Sequence, residues 1–327
     1  MIKSFEKWAD PLLRSFAFLR LTGVTFLGIL SPRFSFLPRF PFKTHVDYQM
    51  LDGTRADHSI AVARLALEIC KAMKLSEQAQ KYSVAWALLH DVATWPLSHT
   101  GEAAFVKTTN LDSHLLRELI IRGSTKLPDY FGVPDVLRKL RIDTDILLSL
   151  FDKSTNAGTR DLSVLWQILN SPMTPDTIEG MYRSGQVFGI TVPNPEEIAQ
   201  QFVSDLFSDA HINRDGSGLV LRFWRSKSQI YRKYINSKKS IRFESEWALR
   251  IERAFSNCGL VESLLLPEIG ILAVAGTIKL DRYEQRRYKP PLDYFVAAPY
   301  ARKRNIGHDL RISELSDFLS KVRKNVN

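Results

Sequence analysis

The sequence is short of the residues that staple or punctuate a chain. It has 2 cysteines in 327 residues, Cys70 and Cys258, far apart. Two thiols so placed exclude a disulfide framework and read as reduced core thiols. No GxGxxG precedes a helix and no P-loop is present, so Rossmann and P-loop nucleotide folds have no support. Internal repeats and low-complexity blocks are absent. Long apolar runs are missing too. Phe16 to Phe42 is rich in aromatic and aliphatic residues, but Arg20, Arg33, Arg39, Pro32, Pro38 and Pro41 interrupt it. No run reaches the roughly 18–20 residues that a membrane span needs. The opening Met1-Ile2-Lys3-Ser4-Phe5-Glu6 has mixed charge, and no small-residue cleavage site follows. A signal peptide is therefore not expected, and the cytoplasm is the expected location.

What is present is a globular composition with a surplus of base. Hydrophobic residues make up 45%, charged residues 24%, and the net charge is +10. That charge favours anionic partners: nucleotides, nucleic acids or membrane surfaces. Apolar periodicity predicts a helix over residues 57–74 with Asp57 as its cap, and a second from a Ser76 cap to about Asp91, ended by Trp95-Pro96. Shorter helices are expected from Ser98, over residues 113–121, from Val133, and over 161–169, 177–184 and 195–207. A basic amphipathic helix or helix pair covers about 223–255. Residues 269–276 and 277–280 read as strands around a tight turn, and 312–324 as a final helix after a basic, Pro-rich stretch at 281–305. The fold class is mainly α, with a small C-terminal α+β lobe. The expected division is a catalytic domain over 1–255 and a small basic lobe over 256–327 for partner binding or self-association. A homo-oligomer is expected.

Chemistry concentrates in the run Ala87-Leu88-Leu89-His90-Asp91-Val92. An imidazole and a carboxylate side by side at the end of an apolar helix suit a divalent cation. Four of the seven histidines, His58, His90, His99 and His114, fall between 58 and 114, each at a predicted helix end. Helix ends can converge on one cleft while the helix bodies form the core. Glu102 follows His99 by three residues and Glu118 follows His114 by four, so each pair shares a helical face. A carboxylate so placed raises an imidazole's pKa and fixes its tautomer, as proton transfer requires.

The ordered set Arg55-Ala56-Asp57-His58, Leu89-His90-Asp91, Pro96-Leu97-Ser98-His99 and Asp176 resembles the HD superfamily of metal-dependent phosphohydrolases. It is most similar to the deoxynucleoside triphosphate triphosphohydrolase branch. That branch carries stretches like TRFEHSLGVA, HDIGHGPFSH and ADRLDYL. Thr54 to Ala63 here reads TRADHSIAVA, and His90 to His99 reads HDVATWPLSH. The resemblance implies an HD-type helical bundle with its metal core at about 54–190. It implies His58, His90, Asp91 and Asp176 as ligands of one divalent ion, which could be Mn, Fe, Mg, Zn, Co or Ni. Asp176, in a Pro-Asp pair before a helix, also reads as an ordinary cap. His99 and His114 are implied as proton-handling residues beside the phosphates, with Glu102 and Glu118 behind them. Arg55, Arg225, Lys227, Arg232 and Lys238 are implied as phosphate contacts.

The pattern departs from the branch at Thr94, where a histidine is usual, and at Leu21, where dNTP-reading members have glutamine. It departs again at Gly180 and Ser184, where Tyr and Asp hold the sugar and base. The expected function is a metal-dependent phosphohydrolase of nucleotides, (d)NTPs first. An HD-type nuclease on single-stranded nucleic acid and a regulatory nucleotide-binding protein are the alternatives.

Overall fold

The first two long helices explain why distant histidines meet. The computed structural model describes residues 5–43, 51–152, 158–171, 173–207 and 218–280. Helix α1 covers Phe5–Leu13, α2 Arg55–Ala72 and α3 Glu77–Leu89. A tight reversal joins α2 to α3, with Lys74 in the left-handed region (φ 55°) and the Leu75 N–H donating to the Cys70 carbonyl at 3.0 Å. His58 lies 14 residues before the end of α2, and His90 lies 13 after the start of α3. At about 1.5 Å per residue both sit some 20 Å from the reversal. An antiparallel pair of that register brings them face to face. The seam between the helices is small and apolar, with Val62, Ala63, Ala66 and Ile69 against Val84, Ala85, Ala87 and Leu88, all buried.

Helix α4 follows at Ser98–Thr109, α5 at Ser113–Arg122 and α6 at Arg160–Leu169. Helix α7 is Pro175–Phe188, α8 Pro195–Phe207 and α9 Leu219–Ile230. A π-turn at Tyr231–Ile235 leads to α10 at Lys238–Ala254. Short helical turns at Phe16–Leu19, Arg20–Gly23, Pro134–Lys139 and Thr144–Ser149 fill the gaps. The architecture is mainly α. Among the described residues the one β contact is the bridge between Thr25 and Thr54. No described helix is long and apolar enough to cross a membrane.

The strands expected at 269–280 are not there. Glu268–Gly276 is a helix, α12, preceded by α11 at Leu260–Leu265. The run Ile269-Gly270-Ile271-Leu272-Ala273-Val274-Ala275 is apolar throughout, so period could not separate a buried strand from a helix. Pro267 before it and packing of Ile271, Leu272 and Ala275 into the core decide for helix. The helix expected at 312–324 and the basic stretch at 281–305 lie outside the described residues. The cap of α2 also differs: Thr54 is the N-cap and Asp57 closes a capping box from the third position.

Candidate metal centre

Three local devices aim side chains at one point. The capping box starts α2 sharply, so Arg55 and His58 occupy its first turn. Helix α3 ends at Leu89 with His90 at its C-cap, and Asp91 follows in a turn closed by Thr94 N–H to the Asp91 carbonyl at 2.8 Å. Helix α7 is capped by Thr174, whose hydroxyl accepts from Thr177 N–H at 3.0 Å, with Pro175 first in the helix. Because Thr174 does the capping, the Asp176 carboxylate is left to meet His58.

His58 is fully buried. Its Nε2 lies 2.9 Å from Asp176 Oδ1 and 3.3 Å from His90 Nε2. His90 Nε2 is 3.6 Å from both Asp176 Oδ1 and Asp91 Oδ2. The other nitrogens of the two rings face acceptors. His58 Nδ1 donates to Glu179 Oε2, and His90 Nδ1 donates to the Ala87 carbonyl at 2.6 Å. With its Nδ1 protonated, His90 Nε2 presents a lone pair, and so does His58 Nε2 once that ring is neutral; both then converge with Asp176 Oδ1 as a divalent ion requires. Bond lengths of about 2.0–2.2 Å put neighbouring ligand atoms roughly 3.0–3.6 Å apart, which matches the spacings observed. His58, His90 and Asp176 form the tightest group, with ligand atoms all within 4.8 Å of one another. Asp91 stands beside it and completes the ordered set.

The electrostatics show how far these groups depend on one another. Burial disfavours a charged His58 ring, but hydrogen bonds and charge from Asp176 and Glu179 outweigh it and raise its pKa to about 9. Burial likewise works against an ionised Asp176, and His58 and His90 overcome it and hold the carboxyl well below its usual range. Asp91 is depressed against the same burial by Arg55, His90 and His58. Its Oδ2 accepts from Arg55 Nη1 at 3.0 Å and its Oδ1 from the Thr94 hydroxyl at 3.2 Å.

Arg55, expected as a phosphate contact, is buried and engaged. It bonds Asp91 through Nη1 and Ser98 Oγ through Nε at 3.0 Å, so its first task is to fix the Asp91 carboxylate. His99 is open to solvent, with a 69% exposed side chain, and its Nδ1 is 3.5 Å from Glu102 Oε2. Burial opposes the charge on Glu102, yet hydrogen bonds from His99 and Ser113 and the charge of Arg55 lower its pKa. The α4 and α5 helix starts thus meet through Glu102. His114 is exposed on the first turn of α5. Glu118 does not hold it: its carboxylate turns to Arg122 Nε at 2.9 Å, because that arginine is also one turn away and carries a full charge.

Arg225, Arg232 and Lys238 are exposed, and Lys227 lies over the Trp224 ring at 5.0 Å. The structure does not bring the α9 residues to the ligands. Helix α9 packs at the far end of α7, where Ser226 Oγ donates to the Thr191 carbonyl at 2.7 Å. Asp176 and Phe188 are 12 residues apart on α7, about 18 Å along its axis.

The sequence reading missed several supporting residues. Glu179 backs His58 and is gripped by Arg183 through Nε at 3.0 Å and Nη2 at 2.5 Å. Phe26 lies 4.8 Å from the His58 ring at a 46° tilt, with Arg55 and Arg183 over its own ring at 5.0 and 5.6 Å. Arg117 Nε donates to the His90 carbonyl at 3.0 Å. Arg20 Nη2 donates to the Val92 carbonyl at 2.5 Å, while its buried Nε and Nη1 have no partner among the described residues. Burial lowers Arg20 to about 10, against the pull of Asp91. Glu268, from α12, accepts from Leu97 N–H at 2.6 Å, Thr25 N–H at 3.1 Å and the Thr25 hydroxyl at 3.2 Å. One signal was available: Glu179 lies three residues after Asp176, on the same helical face. For Glu268, 171 residues from Leu97, no local pattern existed.

The sequence model of the HD domain matches residues 55–161. The chain carries an HD domain. Its matched span includes His58, His90, Asp91, His99 and His114 and ends before Asp176. A search of curated proteins found no match. Among solved structures, a hypothetical protein from Aquifex aeolicus aligns with TM-score 0.59 at 16% identity, over 93% of this chain and 79% of that one. A phosphohydrolase from Bacteroides thetaiotaomicron VPI-5482 aligns with TM-score 0.55 at 14% identity, over 94% of this chain and 64% of that one. At such identities the likeness establishes a shared fold. The HD domain is thus set within an arrangement of helices that extends well beyond it.

Proposed function

We propose that this chain is a metal-dependent phosphohydrolase acting on nucleotides, with one divalent ion held by His58, His90, Asp91 and Asp176. The observation that carries the reading is the convergence of the two Nε2 atoms on Asp176, each ring held by a hydrogen bond at its other nitrogen. When bound, the ion supplies positive charge that polarises a phosphoryl oxygen and makes water acidic near neutral pH. Arg20, Arg55 and Arg117 gather cationic charge around Asp91 and favour a phosphate anion in the opening beside Asp176, whose side chain is 44% exposed. His99, paired with Glu102 and open to solvent, hands a proton to the leaving oxygen, and His114 stands by as the second proton carrier at the same mouth.

Nucleoside selection by the positions used in the triphosphohydrolase branch has no support here. A Cβ on Gly180 would already touch the Phe26 ring at 3.4 Å and His58 at 3.6 Å, so no tyrosine fits. Ser184 is buried and bonds back to the Gly180 carbonyl at 2.7 Å. Leu21 is fully buried. We therefore favour a phosphate-directed site whose base and sugar preference is set elsewhere. The test combines metal analysis with a released-product screen over dNTPs, NTPs, monophosphates and short oligonucleotides. Substituting His90 and Asp91 together should remove bound metal and turnover at once, while His99→Ala should lose turnover and keep metal. Turnover that survives loss of His90 and Asp91 would refute the assignment.

A further inference from the structure

The densest charge on the molecule lies away from the metal centre. Residues 219–239 hold seven bases, Arg222, Arg225, Lys227, Arg232, Lys233, Lys238 and Lys239, and no acid. They supply most of a net charge of +10. In the structure Arg222, Arg225, Arg232, Lys238, Lys239 and Arg242 are all exposed, and among the described residues none of these six has a carboxylate partner. The acids of α10 are taken elsewhere: Glu244 by Thr100, Glu246 by Arg39 and Arg250, Glu252 by Lys107. Arg222, Arg225 and Arg232 recur at spacings of three and seven, which keeps them on one side of α9 and its π-turn. The path then bends at Asn236-Ser237, where Ser237 caps α10, and Lys238, Lys239 and Arg242 continue it.

We propose that this bent basic face docks the sugar–phosphate backbone of single-stranded nucleic acid. Four features choose that occupant. Six unneutralised cations in a row call for a partner with repeated anionic charge. Four of the six are arginines, whose planar forks suit phosphate oxygens. The apolar side of the same helices is spent on the core, with Phe223, Trp224, Ile230, Tyr234 and Phe243 buried, and no large apolar side chain between 222 and 242 is exposed. A bilayer-binding helix needs that apolar side for itself. Finally, a flexible strand can follow the bend at Asn236-Ser237, whereas duplex DNA is stiff over about 150 base pairs and would touch only one limb. Since the aromatic rings point inward, binding is indifferent to base sequence.

Six phosphate contacts to a single strand predict a slope of log affinity against log salt of about −4. The experiment is fluorescence anisotropy of the full chain with a labelled oligothymidylate, from low to physiological salt, beside a duplex of equal length and phosphatidylserine vesicles. Arg222→Glu/Arg225→Glu/Arg232→Glu should weaken oligothymidylate binding more than tenfold and cut the slope by about 2. Lys238→Glu/Lys239→Glu on the other limb should do the same to a lesser degree. It also keeps its helix, since acids suit a helix start. His90→Ala should leave binding unchanged, which separates this surface from the metal centre. Unchanged affinity and slope in both folded charge-reversal variants would overturn the proposal. So would tighter binding of duplex than of single strand, or capture by vesicles with none of the oligonucleotide.

Discussion

Glu179→Gln isolates the support behind His58 from the ligands themselves. Glu179 is nearly buried, with 8% of its side chain exposed, and serves two donors, His58 Nδ1 and the Arg183 fork. A glutamine of the same shape can serve only one of them. If its oxygen faces His58, its amide hydrogens face the guanidinium. If it flips, the amide hydrogens face Nδ1 and drive that proton to Nε2, where it blocks the ligand position. Outer partners of metal-ligating histidines are typically worth 10–100-fold in metal affinity, or about 1.4–2.7 kcal/mol. Glu179→Gln should therefore raise the dissociation constant for Mn or Co by about 10–100-fold, read by equilibrium dialysis or cobalt absorption. Glu179→Ala is a poorer probe, because it strands the Arg183 charge and costs about 3 kcal/mol of fold stability by itself. A folded Glu179→Gln protein with metal affinity within about threefold of the parent would refute the argument that this carboxylate sets the tautomer.

Three further outcomes follow from the same structure. Added divalent metal should raise the melting temperature, by the equivalent of about 2.7 kcal/mol at a hundredfold excess over the dissociation constant, and His58→Ala should abolish the shift in differential scanning fluorimetry. Gly101→Ala should cost about 3 kcal/mol in urea denaturation, because a Cβ there would sit 1.8 Å from the Pro96 carbonyl oxygen; a loss below about 1 kcal/mol would show that the turn after Trp95 can relax. Glu268 gives a pH test. Burial raises its pKa above the usual carboxylate range, despite hydrogen bonds from Leu97 and Thr25. The folded state therefore keeps the proton longer than the unfolded chain, and the ionised group loses stability as pH rises from the unfolded value through the folded one. Glu268→Gln keeps the acceptor oxygen without the charge, so its stability relative to the parent should climb over that window and then level off; a difference that is flat or falls with pH would contradict this.

The cluster of His58, His90 and Asp176 was legible in the sequence because its placement rests on helix arithmetic. Nearly equal helical stretches on either side of a short reversal, from His58 to Ala72 and from Glu77 to His90, bring His58 opposite His90. A capping threonine two residues before Asp176 frees that carboxylate. Mainly helical architecture was legible for the same reason: apolar period and capping residues act locally. The strands expected at 269–280 failed where local signals fail, since an all-apolar run carries no period and its environment decides. Glu118 failed through competition, Arg122 being the stronger partner at the same spacing. The phosphate roles expected of Arg225 and Arg232 gain no support from the packing of α9, which sets Ser226 against Thr191 beyond the end of α7: spacing along α9 says which residues share a face but not where that face points.

The part of the site that no spacing rule reaches is also the part that holds it rigid. Leu97 and Ser98 both lie in the left-handed region, with φ of 63° and 50°. For residues with a Cβ this costs about 1–2 kcal/mol each, so surrounding contacts must hold them there. Three contacts do so: Glu268 takes the Leu97 N–H, Ser98 Oγ donates to the Thr25 carbonyl at 2.6 Å, and Gly28, itself at φ 57°, leaves just enough room for the Leu97 carbonyl. The strained pair presents Ser98 to Arg55, and Arg55 to Asp91. A carboxylate on the last described helix is thus connected to Asp91 through one tight turn and the side chains of Ser98 and Arg55. This explains why α12, which carries none of the proposed ligands or proton-handling residues, packs into the core with its one buried acid pointed at the HD domain. It also explains why Gly28 matters although it touches no ligand: a side chain there would strike the Leu97 carbonyl at 2.3 Å and displace the turn on which the Arg55–Asp91 bond depends.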